Sequence, residues 1–159
     1  MIDYRRLIGV LADAGVEFII VGGAAATAHG SSRLTEDLDI VYNRASVNIT
    51  RLVDALAPFK PYPRDVPDGL PFKWEQETVL RGLNFTLRTT LGPVDLFGEI
   101  ILGGNYKELL PYTFVLKLFG YDCRCLNLPR LIDVKRATGR PKDLEVVAEL
   151  EAILEEQNN

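Results

Sequence analysis

The chain has 159 residues and a formal net charge of −4, with 47% hydrophobic and 25% charged residues. These proportions are typical of a globular protein, and the length favours a single domain over residues 1–159. A net acidic chain is not expected to bind nucleic acid through a broad basic surface. No apolar run is long enough to cross a membrane, and the amino-terminal residues lack the apolar core of a signal peptide, so we predict a cytoplasmic protein.

The first predicted elements are a helix, a buried strand and a glycine turn. Apolar residues recur at helical spacing between Asp3 and Ala14, and the uninterrupted apolar run 18–21 predicts a strand. Gly22 and Gly23 follow that strand directly. Glycines let the backbone approach a ligand closely, and the small residues after them predict a helix whose free N–H groups favour an anion. Gly22 and Gly23 are therefore candidate phosphate contacts, although a simple tight turn would have the same sequence.

The helix after the glycine pair ends near His29, the only histidine in the chain. A structural role, in which His29 bonds to loop backbone, is favoured over catalysis. Arg33 follows in the next loop. It is either a phosphate contact or a solvated loop arginine.

Two aspartates lie in the next predicted strand, residues 37–42. Asp37 and Asp39 are two positions apart and so project from one face, whereas Leu38 and Ile40 face the core. Two carboxylates on one face repel each other unless a cation lies between them, and Mg²⁺ prefers oxygen ligands. A phosphate-binding turn beside such a pair predicts phosphoryl or nucleotidyl transfer. The alternative is a solvated strand face with no ligand.

The middle of the chain predicts a helix, a loop and a hairpin. Ser46 is the predicted N-cap of a helix that ends near Ala57. Residues 60–71 are rich in proline and charge, which predicts a loop, with a short edge strand, bordering the site. Residues 83–90 and 94–97 alternate in polarity, which predicts a hairpin that turns at Gly92 and Pro93. Asp95 alternates away from its apolar neighbours and is the third carboxylate of interest.

The last third predicts a second hairpin and two helices. Cys123 and Cys125 alternate on a strand and are expected to be buried free thiols, because a zinc site needs more ligands than the chain offers there. Pro129 suits the first turn of a helix that ends near Thr138. A final helix starts at Pro141, and we expect its tail, residues 155–159, to fray. Its predicted buried stripe is Leu144, Val147, Leu150, Ile153 and Leu154.

The stretch GGAAATAHGSSRLTEDLDI, which holds Gly22-Gly23 and Asp37-Leu38-Asp39-Ile40, resembles the signature of the nucleotidyltransferase superfamily of DNA polymerase beta type. Within it the chain is similar to the small bacterial single-domain branch that includes AbiEii-like toxins. The resemblance implies a minimal nucleotidyltransferase-like α/β fold, with a mixed central sheet flanked by helices. It also implies that Asp37, Asp39 and Asp95 bind Mg²⁺ or Mn²⁺ and that Asp95 assists the attacking hydroxyl. Glu99 is the alternative candidate for the role of Asp95.

A basic cluster at residues 131–143 resembles one near the C-terminus of the same small enzymes. Basic groups concentrated at a helix–helix junction of an acidic chain suit a triphosphate. Lys135 and Arg140 are the candidate phosphate ligands, and Lys142 is a further candidate. The same residues would also serve as ordinary last-turn cations that complement helix dipoles.

The predicted activity is metal-dependent transfer of a nucleoside monophosphate from a triphosphate such as ATP to a hydroxyl, with release of pyrophosphate. The acceptor is a tRNA, a protein or a small molecule. One alternative is a non-catalytic nucleotide- or partner-binding module with the same fold. Another is the toxin of a toxin–antitoxin pair, and a homodimer or an antitoxin is the predicted protein partner.

Overall fold

The computed structural model describes residues 2–159. Its strands are β1 Phe18–Val21, β2 Leu38–Tyr42, β3 Tyr62–Pro63, β4 Phe85–Thr89, β5 Gly92–Phe97, β6 Glu99–Ile100, β7 Gly104–Asn105, β8 Thr113–Leu118 and β9 Tyr121–Leu126. Its α-helices are α1 Tyr4–Asp13, α2 Gly22–Ala28, α3 Ser46–Leu56, α4 Gln76–Arg81, α5 Tyr106–Leu109, α6 Leu128–Thr138 and α7 Pro141–Gln157. Short 3-10 helices cover Ala57–Phe59 and Leu110–Tyr112.

A seven-stranded mixed sheet forms the centre of the described chain, in the order β3-β4-β5-β2-β1-β9-β8. Strand β2 runs antiparallel to β1 and parallel to β5, and β1 runs parallel to β9. The predicted α/β class, with a mixed central sheet flanked by helices, is confirmed. Strands β6 and β7 form a separate two-stranded hairpin beyond the end of β5.

The core lies between the sheet and two groups of helices. Helix α3 contacts α1 and α4, whereas α6 contacts α2 and α7. All four residues of β1 are buried, which shows that both faces of the sheet are covered at this strand. In β2 the side chains of Leu38, Ile40 and Tyr42 are fully buried, so the intervening Asp39 points to the other face. No helix within residues 2–159 has the length and apolar character that a membrane span requires.

Two local predictions about turns and caps are wrong. The hairpin turns at Thr90 and Leu91, because Gly92 is already paired with Thr89 in the β4–β5 ladder. Gly92, at φ +120°, instead leaves room for Ile2, whose Cα would lie 2.7 Å from a Cβ built on this glycine. Helix α3 begins at Ser46 itself, after an Ala45 N-cap that makes no side-chain hydrogen bond.

Two predictions about the last helix are also wrong. Leu144 is 49% exposed, because Asp143 takes the inward position in the first turn of α7. The helix continues to Gln157 instead of fraying, and the Asn158 N–H still donates to the Leu154 carbonyl at 3.2 Å. Val147 and Leu150 are buried as predicted.

The cysteines and the single tryptophan have structural roles. Cys123 and Cys125 are buried free thiols, as predicted, and burial raises the pKa of Cys125 to about 12. The Trp74 indole N–H donates to the Val53 carbonyl of α3 at 2.9 Å.

Candidate active site

Three aspartates meet where β2 and β5 lie side by side. Asp39 and Asp95 occupy facing positions in this parallel pair, and Asp37 precedes Asp39 by two residues. One carboxylate oxygen from each side chain lies within 4.8 Å of the other two. The three carboxylates that the sequence predicted as metal ligands thus lie together, and their catalytic and metal-binding roles stay predictions.

Asp39 lies in an environment that disfavours its charge. Its Oδ1 atom is buried and has no hydrogen-bond partner among the residues the structure describes. Burial and the charges of Asp37 and Asp95 raise the pKa of Asp39 to about 8. Burial also raises the pKa of Asp95, although the hydrogen bond and charge of Arg64 oppose this effect. A divalent cation fits such a cluster, because it would give the orphaned oxygen a partner and balance the repelling charges.

The glycine pair lies against the protein's own side chains. Gly22 has a φ of +63°, and a Cβ at this position would overlap the Asp39 carboxylate. A Cβ at Gly23 would lie 2.7 Å from the Thr35 hydroxyl oxygen. The close approach that the sequence suggested for a ligand is thus made by Asp39 and Thr35. Phosphate binding by Gly22 and Gly23 stays a prediction.

The aspartates open into a cleft of about 680 Å³. Its basic lining residues come from the loop after α2 and from the α6–α7 junction: Arg33, Lys135, Arg140 and Lys142. The segments around β4, β5 and β6 contribute Asn84, Phe97, Glu99, Ile100 and Ile101, and α6 and α7 add the apolar Leu131, Val134 and Val146. The cleft therefore presents basic and apolar side chains together with the three aspartates.

Lys135 and Arg140 share one carboxylate, Asp143. The Arg140 Nε–H donates to Asp143 Oδ2 at 2.6 Å, and Lys135 Nζ lies 3.9 Å from Oδ1. Burial lowers the pKa of Lys135, an effect that the charges of Asp143 and Asp39 oppose. Burial would raise the pKa of Asp143, but the hydrogen bonds from Arg140 and Thr138 hold it below its usual value. The predicted cations thus lie beside the acidic cluster in a structured junction, and Arg140 keeps 60% of its side chain exposed.

The other candidates from the sequence have structural contacts. His29 Nε2 lies 2.9 Å from the carbonyl oxygen of Leu126 at the end of β9, which supports its predicted structural role. Arg33 lines the cleft but pairs with Glu145 of α7 at 2.7 Å. Glu99 lines the cleft but is absent from the carboxylate cluster of the described residues, so Asp95 is the third acidic group.

Sequence reasoning missed two residues that touch the carboxylate segment. The Arg64 guanidinium, from the proline-rich loop, donates from Nη2 to Asp95 Oδ1 at 2.7 Å. The Tyr4 hydroxyl, at the start of α1, donates to the Asp37 carbonyl oxygen at 2.8 Å. The prediction that residues 60–71 border the site pointed to the correct segment, but nothing in that segment distinguished Arg64.

No protein-family model matches this sequence, and no curated protein is a significant match. Two solved structures are similar to the chain. One is a candidate nucleotidyltransferase of Thermotoga maritima, TM1012, with 15% identity, a TM-score of 0.58 and coverage of 94% of each chain. The other is the lincosamide antibiotic adenylyltransferase LnuA with lincomycin bound, with 13% identity, a TM-score of 0.63 and coverage of 96% of this chain and 98% of that one.

At these identities the likeness concerns architecture, and in both cases it extends over nearly the whole chain. It agrees with the α/β architecture and mixed central sheet described above. The protein therefore has the nucleotidyltransferase fold.

Proposed function

We propose that the protein transfers a nucleoside monophosphate from a nucleoside triphosphate to a hydroxyl group. The observation that carries this proposal is the convergence of Asp37, Asp39 and Asp95 within 4.8 Å in a cleft that Lys135 and Arg140 also line. A non-catalytic module would have no need to keep three mutually repelling carboxylates together.

Each residue of the site would have its own role in the reaction. Lys135 and Arg140 would hold the negatively charged triphosphate. Asp95 would accept the proton of the acceptor hydroxyl. The hydroxyl oxygen would bond to the α-phosphorus while the bond between that phosphorus and the pyrophosphate oxygen breaks. Asp37, Asp39 and Asp95 would hold Mg²⁺ or Mn²⁺, which when bound offsets negative charge on the phosphates.

A label-transfer assay tests the activity. Purified protein is incubated with α-labelled nucleoside triphosphates, Mg²⁺ and a cell extract, and label is expected in an acceptor. Asp39→Asn should abolish the transfer, because it removes charge from the cluster. Asp133→Asn, on the exposed surface of α6, is the matched control and should retain it. Absence of transfer by the natural protein, together with no nucleotide binding in calorimetry, would contradict the proposal.

We infer that the acceptor is a small hydroxyl compound with an apolar part. The segment that follows Asp95 lines the cleft with Phe97, Ile100 and Ile101, and Ile101 is 54% exposed. Glu99 in the same segment would repel a polyanion such as RNA. LnuA, which has the same fold, binds the small molecule lincomycin, and this is consistent with a small acceptor.

Fractionation of the labelled extract tests this choice of acceptor. Label is expected in the low-molecular-weight fraction, and Ile101→Gln should reduce it without changing nucleotide affinity. Label in the RNA or protein fraction would overturn the acceptor class and leave nucleotidyl transfer standing. Membership of the AbiEii-like branch, a toxin role, and a homodimer or antitoxin partner stay predictions from the sequence.

A further inference from the structure

Arg64 lies at the edge of the sheet, directly after β3, yet its guanidinium reaches the acidic cluster. Its Nη2 is 2.7 Å from Asp95 Oδ1 and 3.7 Å from Asp37 Oδ2. The side chain is 25% exposed. This contact joins two of the three clustered carboxylates to a cation from a separate segment.

The position of Arg64 is fixed by the main chain as well as by charge. Its backbone N–H donates to the Thr86 carbonyl at 2.9 Å, and its Nη1 donates to the Leu87 carbonyl at 2.8 Å. Both carbonyls belong to β4, the neighbour of β5. Since guanidinium keeps its charge at all relevant pH values, the fold places a permanent positive charge beside Asp95.

Only one oxygen of Asp95 accepts the hydrogen bond from Arg64. The bond therefore restrains the rotation of the carboxylate, which keeps one of its oxygens within 4.8 Å of oxygens of Asp37 and Asp39. At the same time the arginine charge partly neutralises the cluster and would repel an incoming divalent ion.

We propose that Arg64 is a positioning residue that orients Asp95 and weakens the binding of a free divalent ion, so that the ion binds well only together with a triphosphate. This inference rests on the proposed function. The added negative charge of the triphosphate would offset the repulsion from Arg64, which makes the two ligands cooperative.

Mn²⁺ titration followed by electron paramagnetic resonance tests this without turnover. In the absence of nucleotide, Arg64→Gln should bind Mn²⁺ at least about tenfold more tightly than the natural protein, since a full charge is removed. Arg88→Gln is the matched control, because Arg88 lies on β4 and pairs with the exposed Asp68. It should match the natural protein. Unchanged or weaker Mn²⁺ binding in Arg64→Gln would overturn the inference.

Arg64→Lys separates charge from positioning. Lysine keeps the positive charge but has a single nitrogen, which cannot reach Leu87 and Asp95 together as Nη1 and Nη2 of Arg64 do. The Mn²⁺ affinity of this variant should therefore stay within about threefold of the natural value while label transfer falls. If Arg64→Lys instead bound Mn²⁺ as tightly as Arg64→Gln, charge repulsion would not be the cause and the inference would fail.

Cooperativity is measured by repeating the titration with a non-hydrolysable ATP analogue. The analogue should increase Mn²⁺ affinity more in the natural protein than in Arg64→Gln, and an equal increase in both would overturn the inference. Failure of the proposed function has a different signature. In that case Mn²⁺ would not bind the natural protein even with the analogue, and Asp39→Asn would change nothing.

Discussion

At the scale of single residues, Gly22 shows how the backbone makes room for a functional side chain. Gly22→Ala should destabilise the protein by at least about 3 kcal/mol, because it adds left-handed strain and a clash with the Asp39 carboxylate. Chemical denaturation measures the loss of unfolding free energy.

Gly139→Ala is the control that isolates the backbone part of this cost. Gly139 has a φ of +68°, close to that of Gly22, but a Cβ there would meet no atom within 4 Å. It should cost only about 1 kcal/mol. Equal losses in the two variants would show that the Asp39 contact has no energetic weight.

At the scale of elements, the junction of α6 and α7 depends on one buried carboxylate. Asp143 has 5% of its side chain exposed and shares its single negative charge between Lys135 and Arg140. Asp143→Asn leaves the partly buried Lys135 without its counter-ion, so we expect a loss of about 3 kcal/mol in unfolding free energy.

Asp133→Asn is the matched control on the same helix. Asp133 forms a solvent-exposed pair with Arg136 at 3.9 Å, so this change should alter stability by less than about 0.5 kcal/mol. Similar denaturation curves for Asp143→Asn and the natural protein would contradict a structural role for the junction.

The elements carrying the acidic cluster were predictable because their patterns are local. An apolar run followed by two glycines defines β1 and the start of α2, and alternation places Asp39 and Asp95 on strand faces. Arg64 was not predictable, because its contact with Asp95 depends on the pairing of β3 with β4, which joins distant segments. The burial of Asp143 was missed for a similar reason. Hydrogen bonds from Thr138 and Arg140 offset the free-energy cost of burying this carboxylate, and these contacts exist only in the folded chain.

At the scale of the whole molecule, Asp39 couples stability to pH. Its folded pKa of about 8 lies above the ordinary value of 3.8, so the folded state binds the proton more tightly than the unfolded state does. This contribution to stability is fully present below about pH 4 and is lost as pH rises through about 8. The melting temperature of the metal-free protein should therefore fall between about pH 6 and pH 9, and that of Asp39→Asn should fall by less.

A divalent ion competes with that proton, so added Mg²⁺ should raise the melting temperature more at about pH 9 than at about pH 6. The measurement is a thermal melt with Mg²⁺ or with a chelator at each pH. A Mg²⁺ effect that is equal at both pH values, or equal in Asp39→Asn, would contradict the linkage between the ion and Asp39.

The chain has one tryptophan, and Trp74 is bonded to α3 while contributing nothing to the lining of the cleft. Its fluorescence should therefore change when tertiary structure is lost and stay constant when a ligand binds in the cleft. One optical channel can thus follow denaturation in every variant above, while a fluorescent nucleotide in a second channel follows occupancy in the same cuvette.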